Sequence, residues 1–497
     1  MWTRLVRLAV MSLALGLPLA QSPPGSAAVR RPNIIIILTD DQGYGDLGRH
    51  GNPVLQTPNL DRLHDESVRF TDFHVNPTCA PTRSAILSGR HDFRNGITHT
   101  IFERERMSLQ TTTIAEVLRR AGYRTGIFGK WHLGDEPAYR PDRRGFEETF
   151  IHGCGGIGQS YRGSCGDAPG NSYFNPVILH NGVFETTNGY CTDLFFGQAM
   201  EWIAGVKQAD RSRPFFAVIT PNAPHTPLDV PAEYERLYAG RVPPNTAKFF
   251  GMIHNIDQNV GRLLAMLSAG GLERETLVVF MNDNGGTGGV QVWNAGMRGA
   301  KNTPYLGGTR AISFWRWPGQ FKPGVSDALT AHIDIFPTLA ALAGVRLDRV
   351  LQRQVEGRSL VPLLRSPQAP WADRVFVRHI GRWPLGADPR SYKYGPVSVR
   401  NKRWQLVNEG RDNRRNWELY DLTADPAQQR NVITDHPDVF HQLETSYDRW
   451  WEEVQPLLVN EKATPPAINP YHTEYWEQYK GAGPNNVPPG TNLMKSP

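Results

Sequence analysis

Four consecutive isoleucines, Ile34 to Ile37, stand between Asn33 and Leu38, and no other feature constrains this chain as tightly. A β-branched run of that length suits a strand covered on both faces and is too short for a buried helix. Such strands belong to the middle of a parallel sheet with helices on either side. This one ends at Thr39-Asp40-Asp41, and the same order of apolar run, polar loop and helical pattern then recurs. Thr113 and Glu116 have capping-box spacing ahead of Ile114, Val117, Leu118 and Ala121, which fall at helical intervals until Gly122. Tyr123 to Phe128 reads as the next strand, followed by Gly129-Lys130-Trp131-His132. Pro214 to Thr220 is another, with His225 in the proline-rich loop after it. Ile253, Ile256, Val260, Leu263, Leu264 and Leu267 share a helical face that Gly270-Gly271 ends. Thr276 to Met281 resumes as a strand before Asn282-Asp283-Asn284-Gly285-Gly286. The alternation predicts an α/β fold: a large mixed, mostly parallel central sheet flanked by helices. In a parallel sheet the loops that follow strands leave on one edge, so the four polar clusters predict one shared site.

The remaining chain divides by composition. Arg4 and Arg7 precede an apolar run, Leu8 to Ala20, and then Ser26-Ala27-Ala28, so residues 1–28 read as a cleaved signal peptide. The run is shorter than the ~20 residues a spanning helix needs. The mature chain then begins at Val29, carries no membrane span, and belongs in the periplasm or outside the cell. Residues 29–370 form the main α/β domain of this reading. Residues 371–460, with short aromatic-rich strands and one late helix, form a smaller C-terminal α+β subdomain, and 461–497, rich in Pro, Gly and Asn, an irregular wrapping tail. A formal net charge of +6 without any long basic block excludes a nucleic-acid footprint. Four cysteines are too few for a disulfide scaffold. If one bridge forms, Cys165 with Cys191 is the expected pair; free thiols packed as small hydrophobes are the alternative.

Asp40, Asp41, Asp283 and Asn284 would bring three carboxylates and an amide to the predicted edge. These are hard oxygen ligands, and no Cys/His zinc spacing competes, so the set suits calcium first and magnesium second. Singly, each residue also suits a helix cap or tight turn. Cys79 opens Cys79-Ala80-Pro81-Thr82-Arg83, and Pro81 as the first residue of a helix puts the thiol at a helix N-terminus, where free amides lower its pKa. A buried structural cysteine is the plainer alternative. Arg83, one turn on, could hold an anion.

These residues carry a resemblance. Cys79-Ala80-Pro81-Thr82-Arg83 is similar to the Cys-x-Pro-x-Arg signature of type I sulfatases, of the alkaline phosphatase superfamily, whose cysteine is converted to formylglycine. Further segments resemble the same family in order: Asp40-Asp41-Gln42-Gly43-Tyr44-Gly45-Asp46, Gly129 to Gly134, Pro224-His225, Asn282 to Gly285, and Gly299-Ala300-Lys301 through Gly307-Gly308-Thr309-Arg310. Trp417 to Leu422 with Asp425-Pro426 resembles the family's C-terminal subdomain. The likeness, which extends to exported bacterial arylsulfatase-like enzymes, implies an alkaline-phosphatase-like fold and a sulfuric ester hydrolase.

The resemblance also implies roles. Asp40, Asp41, Asp283 and Asn284, with formylglycine at position 79, would bind one divalent cation, usually calcium. One hydroxyl of the hydrated aldehyde would attack sulfur as the alcohol leaves; the other would then expel sulfate and regenerate the aldehyde. Arg83 would orient the formylglycine, and Lys130 would help hold it and the sulfate. His132 would be the base for release. His225 and Lys301 would bind sulfate oxygens and protonate or stabilise the leaving alkoxide. Formylglycine-generating machinery becomes an implied partner. Two departures stand out: Leu306 precedes Gly307-Gly308 where many relatives have glutamate, and Thr82 follows Pro81 where serine or alanine is frequent. The first leaves the surroundings of Lys301 open; the second keeps the fixed Cys, Pro and Arg.

The expected substrate is a sulfated small molecule or glycan, a carbohydrate sulfate by preference, selected chiefly by the long loop expected over Gly153 to Asn188 and by the tail. Tyr161, Tyr173, Trp315 and Trp317 could stack on sugar faces, although Trp315-Arg316-Trp317 alternates like a packed strand. Two rival readings remain: a phosphate or phosphonate monoester hydrolase of the same superfamily, and a secreted glycan-binding protein with unmodified Cys79.

Overall fold

The computed structural model describes residue 2 and residues 31–410 and 412–489. The expected signal peptide of residues 1–28 lies, apart from Trp2, outside the described residues. Sixteen strands follow one another: β1 (Asn33–Thr39), β2 (Val68–Phe70), β3 (Phe73–His74), β4 (Arg124–Lys130), β5 (Glu148–His152), β6 (Val177–His180), β7 (Val183–Thr186), β8 (Phe215–Thr220), β9 (Thr276–Asn282), β10 (Ser313–Arg316), β11 (Gly324–Ser326), β12 (Thr330–Ala331), β13 (Phe376–His379), β14 (Val397–Arg400), β15 (Trp404–Asn408) and β16 (Trp417–Asp421). Ten of them make one mixed sheet in the order β11-β2-β10-β9-β1-β8-β4-β5-β6-β7. Its centre, from β9 to β5, is parallel, and antiparallel pairs appear only toward the edges.

The isoleucine run lies in the middle of that sheet. Ile34, Ile36 and Leu38 point into one core, with Ala80, Ile86, Ile114, Val117, Leu118, Phe336 and Leu339 of the helices on that face. Ile35 and Ile37 point into the other, against Phe195, Phe196, Ile203, Met252, Ile256 and Val260 of the helices Cys191–Ala209 and Pro244–Ala269. A strand with two dry faces needs apolar residues at every position, which is what the run supplies. The capping box forms as expected: Thr113 Oγ1 accepts from Glu116 N, and Glu116 Oε2 accepts from Thr113 N, opening the helix Ile114–Arg120.

β13 to β16 form a separate antiparallel sheet covered by the helix Pro437–Val454, whose Leu443, Tyr447 and Trp451 pack on Val397, Val399, Leu406 and Leu419. Among the described residues no helix is long and apolar enough to cross a membrane.

Several expectations need correction. The helix that carries Cys79 spans Cys79–Ser88, so it starts two residues before Pro81, with Cys79 inside its first turn. The stretch after Gly153 is not all loop, because β6 and β7 form a hairpin on the sheet edge. The tail is not wholly irregular: Pro470–Tyr479 is a helix that buries Tyr471 and Tyr475 in the main core. The disulfide joins Cys154 to Cys165, and Cys191 is a free, buried thiol. Asp135 explains the pairing, since its two carboxylate oxygens take Cys154 N and Gly166 N, each at 3.0 Å, and draw those segments together. Cys191 opens its long helix and packs in the core of the opposite face.

Candidate active site

β9, β1, β8 and β4 are neighbours in that order, all parallel, so their carboxyl ends meet on one edge. Asp40 and Asp41 follow β1, Asp283 and Asn284 follow β9, His225 lies five residues past β8, and Lys130 closes β4. Backbone bonds carry the pairing past the strand ends: Asp283 N donates to Thr39 O at 3.1 Å and Asp40 N to Ala223 O at 3.2 Å. Gly129 makes the turn of Lys130 into the site possible. Its φ is +116°, and a Cβ there would lie 2.1 Å from Thr220 O.

The carboxylates and cations interlock. Lys130 Nζ donates to Asp40 Oδ2 at 2.7 Å. Asp41, in the left-handed region at φ 70°, accepts on Oδ1 from Asn284 Nδ2 at 2.9 Å and from Lys301 Nζ at 2.5 Å. Its own amide donates to Asp283 Oδ1 at 3.3 Å, and His225 Nε2 stands 3.8 Å from its Oδ2. Arg83, one turn after Cys79, holds Asp283 Oδ2 through Nε and Nη2, at 3.1 and 2.8 Å, and donates from Nη1 to Lys130 O. Single ligand atoms of Asp40, Cys79 and Asp283 lie within 4.8 Å of one another, as do those of Asp40, Asp41 and His225. Nine of the ten residues expected in the site from the sequence therefore meet at this edge, and the tenth, His132, lies two positions past Lys130 and within electrostatic reach of Lys130, Arg83 and His225.

Burial sets the protonation states. It pushes Asp40 and Asp283 up to about 6 despite Lys130 and Arg83. Asp41 resists the same burial because Lys301 and His225 hold it well below the usual carboxylate range. Burial alone would raise the Cys79 thiol, but Lys130 and Lys301 outweigh it and keep the thiol below its ordinary value. Burial lowers His225 to about 4, so its ring is neutral near pH 7. Burial and Lys130 likewise hold His132 well below its ordinary value.

Among Asp40, Asp41, Asp283 and Asn284, two buried acceptors have no hydrogen-bond partner: Asp40 Oδ1 and Asn284 Oδ1. Unpaired buried oxygens are costly, and two at the meeting point of three carboxylates are what a hard cation would satisfy. The donor set fits such an ion except for the Cys79 sulfur, a soft ligand that an oxygen-bearing derivative would replace.

Other residues at the site carry no motif. Tyr173 and Asn222 hold the His225 loop, the first by donating its hydroxyl to His225 O at 2.6 Å, the second by bonding that hydroxyl. Tyr173, Trp315 and Trp317 are buried and cannot stack on a ligand; Tyr161 is the partly exposed member of that group. Thr100 O takes His132 Nε2 at 2.8 Å. Nothing local in the sequence marks Thr100, because it acts through its carbonyl, which every residue has.

A family model described as Sulfatase matches residues 32–345, and one described as N-sulphoglucosamine sulphohydrolase, C-terminal, matches 305–451. Arylsulfatase A of Bos taurus is 33% identical over 460 residues, covering 82% of this chain and 85% of that protein. N-acetylgalactosamine-6-sulfatase of Mus musculus is 31% identical over 428 residues, covering 80% and 77%. The crystal structure of Ps i-CgsB in complex with k-i-k-neocarrahexaose has a TM-score of 0.75 at 26% identity and covers 86% of this chain and 94% of its own.

Proposed function

Since this chain belongs to the sulfatase family and is a sulfuric ester hydrolase, we propose that it cleaves a carbohydrate sulfate with a nucleophile derived from Cys79. The observation that carries this reading is the convergence of Cys79 with Asp40 and Asp283 inside 4.8 Å, at the edge where Asp41 and Asn284 also arrive. Conversion of Cys79 to formylglycine would replace the sulfur by a hydrated aldehyde, with one hydroxyl to attack sulfur and a second to release sulfate. Asp40, Asp41, Asp283, Asn284 and the converted residue would hold calcium, or magnesium as second choice. When bound, the ion supplies positive charge against the sulfate oxygens and favours a deprotonated nucleophile.

The chain's own groups supply the rest. Arg83 and Lys130 hold the carboxylates beside position 79 and keep positive charge there. His132 Nε2 faces a carbonyl and so carries the hydrogen, which leaves Nδ1, buried and unpartnered, as the base. His225 Nδ1 likewise faces Thr226 O at 2.7 Å, leaving Nε2 toward Asp41. An arriving sulfate would raise the His225 pKa and let Nε2 donate. Lys301 is held protonated by Asp41 and Cys79 against its burial, so its ammonium is ready for a leaving alkoxide.

The saccharide assignment rests on the neocarrahexaose in the Ps i-CgsB complex and on the N-acetylgalactosamine-6-sulfatase relative. The domain reading of catalytic residues 29–370, subdomain 371–460 and tail 461–497, the exported location and the need for formylglycine-generating machinery belong to the same proposal. Peptide mass spectrometry on protein from its native host tests it. The tryptic fragment Phe70 to Arg83 should carry an aldehyde in place of the thiol, and inorganic sulfate should be released from a panel of sulfated sugars faster than phosphate from matched phosphate esters. An unmodified thiol, or faster phosphate release, would reject it.

A further inference from the structure

Arg382 lies on the turn after β13, outside every motif in the sequence. The turn is strained and heavily braced. Gly381 has φ 69° and Arg382 φ 58°, a left-handed conformation that a non-glycine residue adopts only when its surroundings enforce it. Arg382 N donates to Thr98 O at 2.9 Å, and Gly381 N to His379 Nδ1 at 2.9 Å. Trp383 is pinned on both sides: its carbonyl accepts from Arg104 Nη1 at 2.7 Å and its Nε1 donates to Glu461 Oε2 at 2.7 Å.

What this bracing presents is a cation without a counterion. The Arg382 guanidinium bonds Thr100 Oγ1 through Nη2 at 2.9 Å, its Nε is buried without a partner, and no salt bridge is formed by it among the described residues. Thr100 ties it to the site, because the carbonyl of the same residue takes His132 Nε2 at 2.8 Å, and Asp41 and position 79 lie within its electrostatic reach. A half-buried guanidinium left unpaired is unfavourable, and its planar fork suits an oxyanion that arrives with a ligand. Tyr161, which shares this electrostatic neighbourhood, lies on the loop closed by the Cys154–Cys165 disulfide.

We propose that Arg382 recognises a second anionic group, a carboxylate or another sulfate, on the saccharide whose sulfate ester is cleaved. This rests on the sulfatase reading above and adds the class of sugar: a doubly charged one. Carboxylate and sulfate offer the same paired oxygens to the fork, and the substrates below separate them.

The test compares kcat/KM of wild type, Arg382→Ala, Arg382→Gln and Arg382→Lys on three probes: a monosulfated neutral disaccharide, the same disaccharide with a second sulfate, and a monosulfated disaccharide containing a uronate. The wild type should favour one of the doubly charged sugars, which identifies the group. The ratio of that sugar to the neutral one should fall about 10- to 100-fold in Arg382→Ala and Arg382→Gln, chiefly through KM, and recover in part in Arg382→Lys. Taking the ratio cancels any common loss through Thr100 and His132. A ratio that stays within twofold of wild type in the variants that fold overturns the proposal, and so does an equal loss on all probes. No sulfate from any probe with the wild type would instead overturn the carbohydrate sulfatase reading itself.

Discussion

Glu105 shows how much of this molecule's pH response is decided one side chain at a time. It is 2% exposed, its Oε2 has no hydrogen-bond partner, and burial together with Glu103 raises it well above its ordinary value. A folded-state pKa above the unfolded one means that the unfolded chain loses the proton first as pH rises past about 4.5, so stability falls with pH by up to about 1.4 kcal/mol per unit until the folded group ionises. Glu105→Gln should therefore match wild type near pH 4.5 and melt progressively higher than it toward pH 8; thermal unfolding at four pH values reads this, and a gain that shrinks with pH would refute it. Tyr173→Phe removes the hydroxyl that His225 O accepts, and an unsatisfied buried carbonyl costs about 1–3 kcal/mol. Turnover should drop roughly tenfold if His225 needs that brace; full activity would show that the loop holds itself. The meeting of Asp40, Asp41 and Asp283 on one edge was legible in the sequence because carboxylates after parallel strands share an edge, whereas Cys79 was marked only by its resemblance to the Cys-x-Pro-x-Arg signature. Tyr173, Thr100 and Arg382 were not, because they act through a hydroxyl on a remote carbonyl, a backbone oxygen and a turn several hundred residues away.

At the scale of elements, the hydrophobic pattern located β1, β8 and β9 to within a residue, since a strand dry on both faces has no polar position to blur its limits. β4 runs two residues further than its apolar run, through Gly129 and Lys130, because ladder bonds to β8 and β5 do not depend on side-chain polarity. The β6–β7 hairpin escaped notice for a related reason: edge strands are half exposed and carry mixed residues, here Val183 and Glu185. The disulfide was misassigned because Asp135, thirty positions before Cys165, sets the approach of its two halves. Closing the loop from Cys154 to Cys165 is worth about 3 kcal/mol in chain entropy. Cys165→Ala should lower the melting temperature by several degrees, whereas alkylation of the unfolded wild type under non-reducing conditions should label Cys191 and leave Cys154 and Cys165 unlabelled. A peptide map that instead links Cys191 would reverse the assignment.

For the whole molecule, three buried carboxylates gathered on one sheet edge are a place that could hold a cation, and only the native state assembles it. Added calcium should raise the melting temperature of chelator-treated protein, and at equal concentration by more than magnesium does, following RT ln(1 + [L]/Kd). No shift with either ion would argue that the lysines already neutralise the cluster. The order β9-β1-β8-β4 has a further consequence, for kinetics. Asp41 and Asn284 touch although 243 positions separate them, and Arg83 grips Asp283 across 200. Such contacts close only after the long intervening loops have been ordered, which places them late on the route from the unfolded chain. Turnover is thus a clock for the final step of assembly: in a refolding experiment it should return after the far-ultraviolet signal of the helices, and no fragment that lacks β9 should show any.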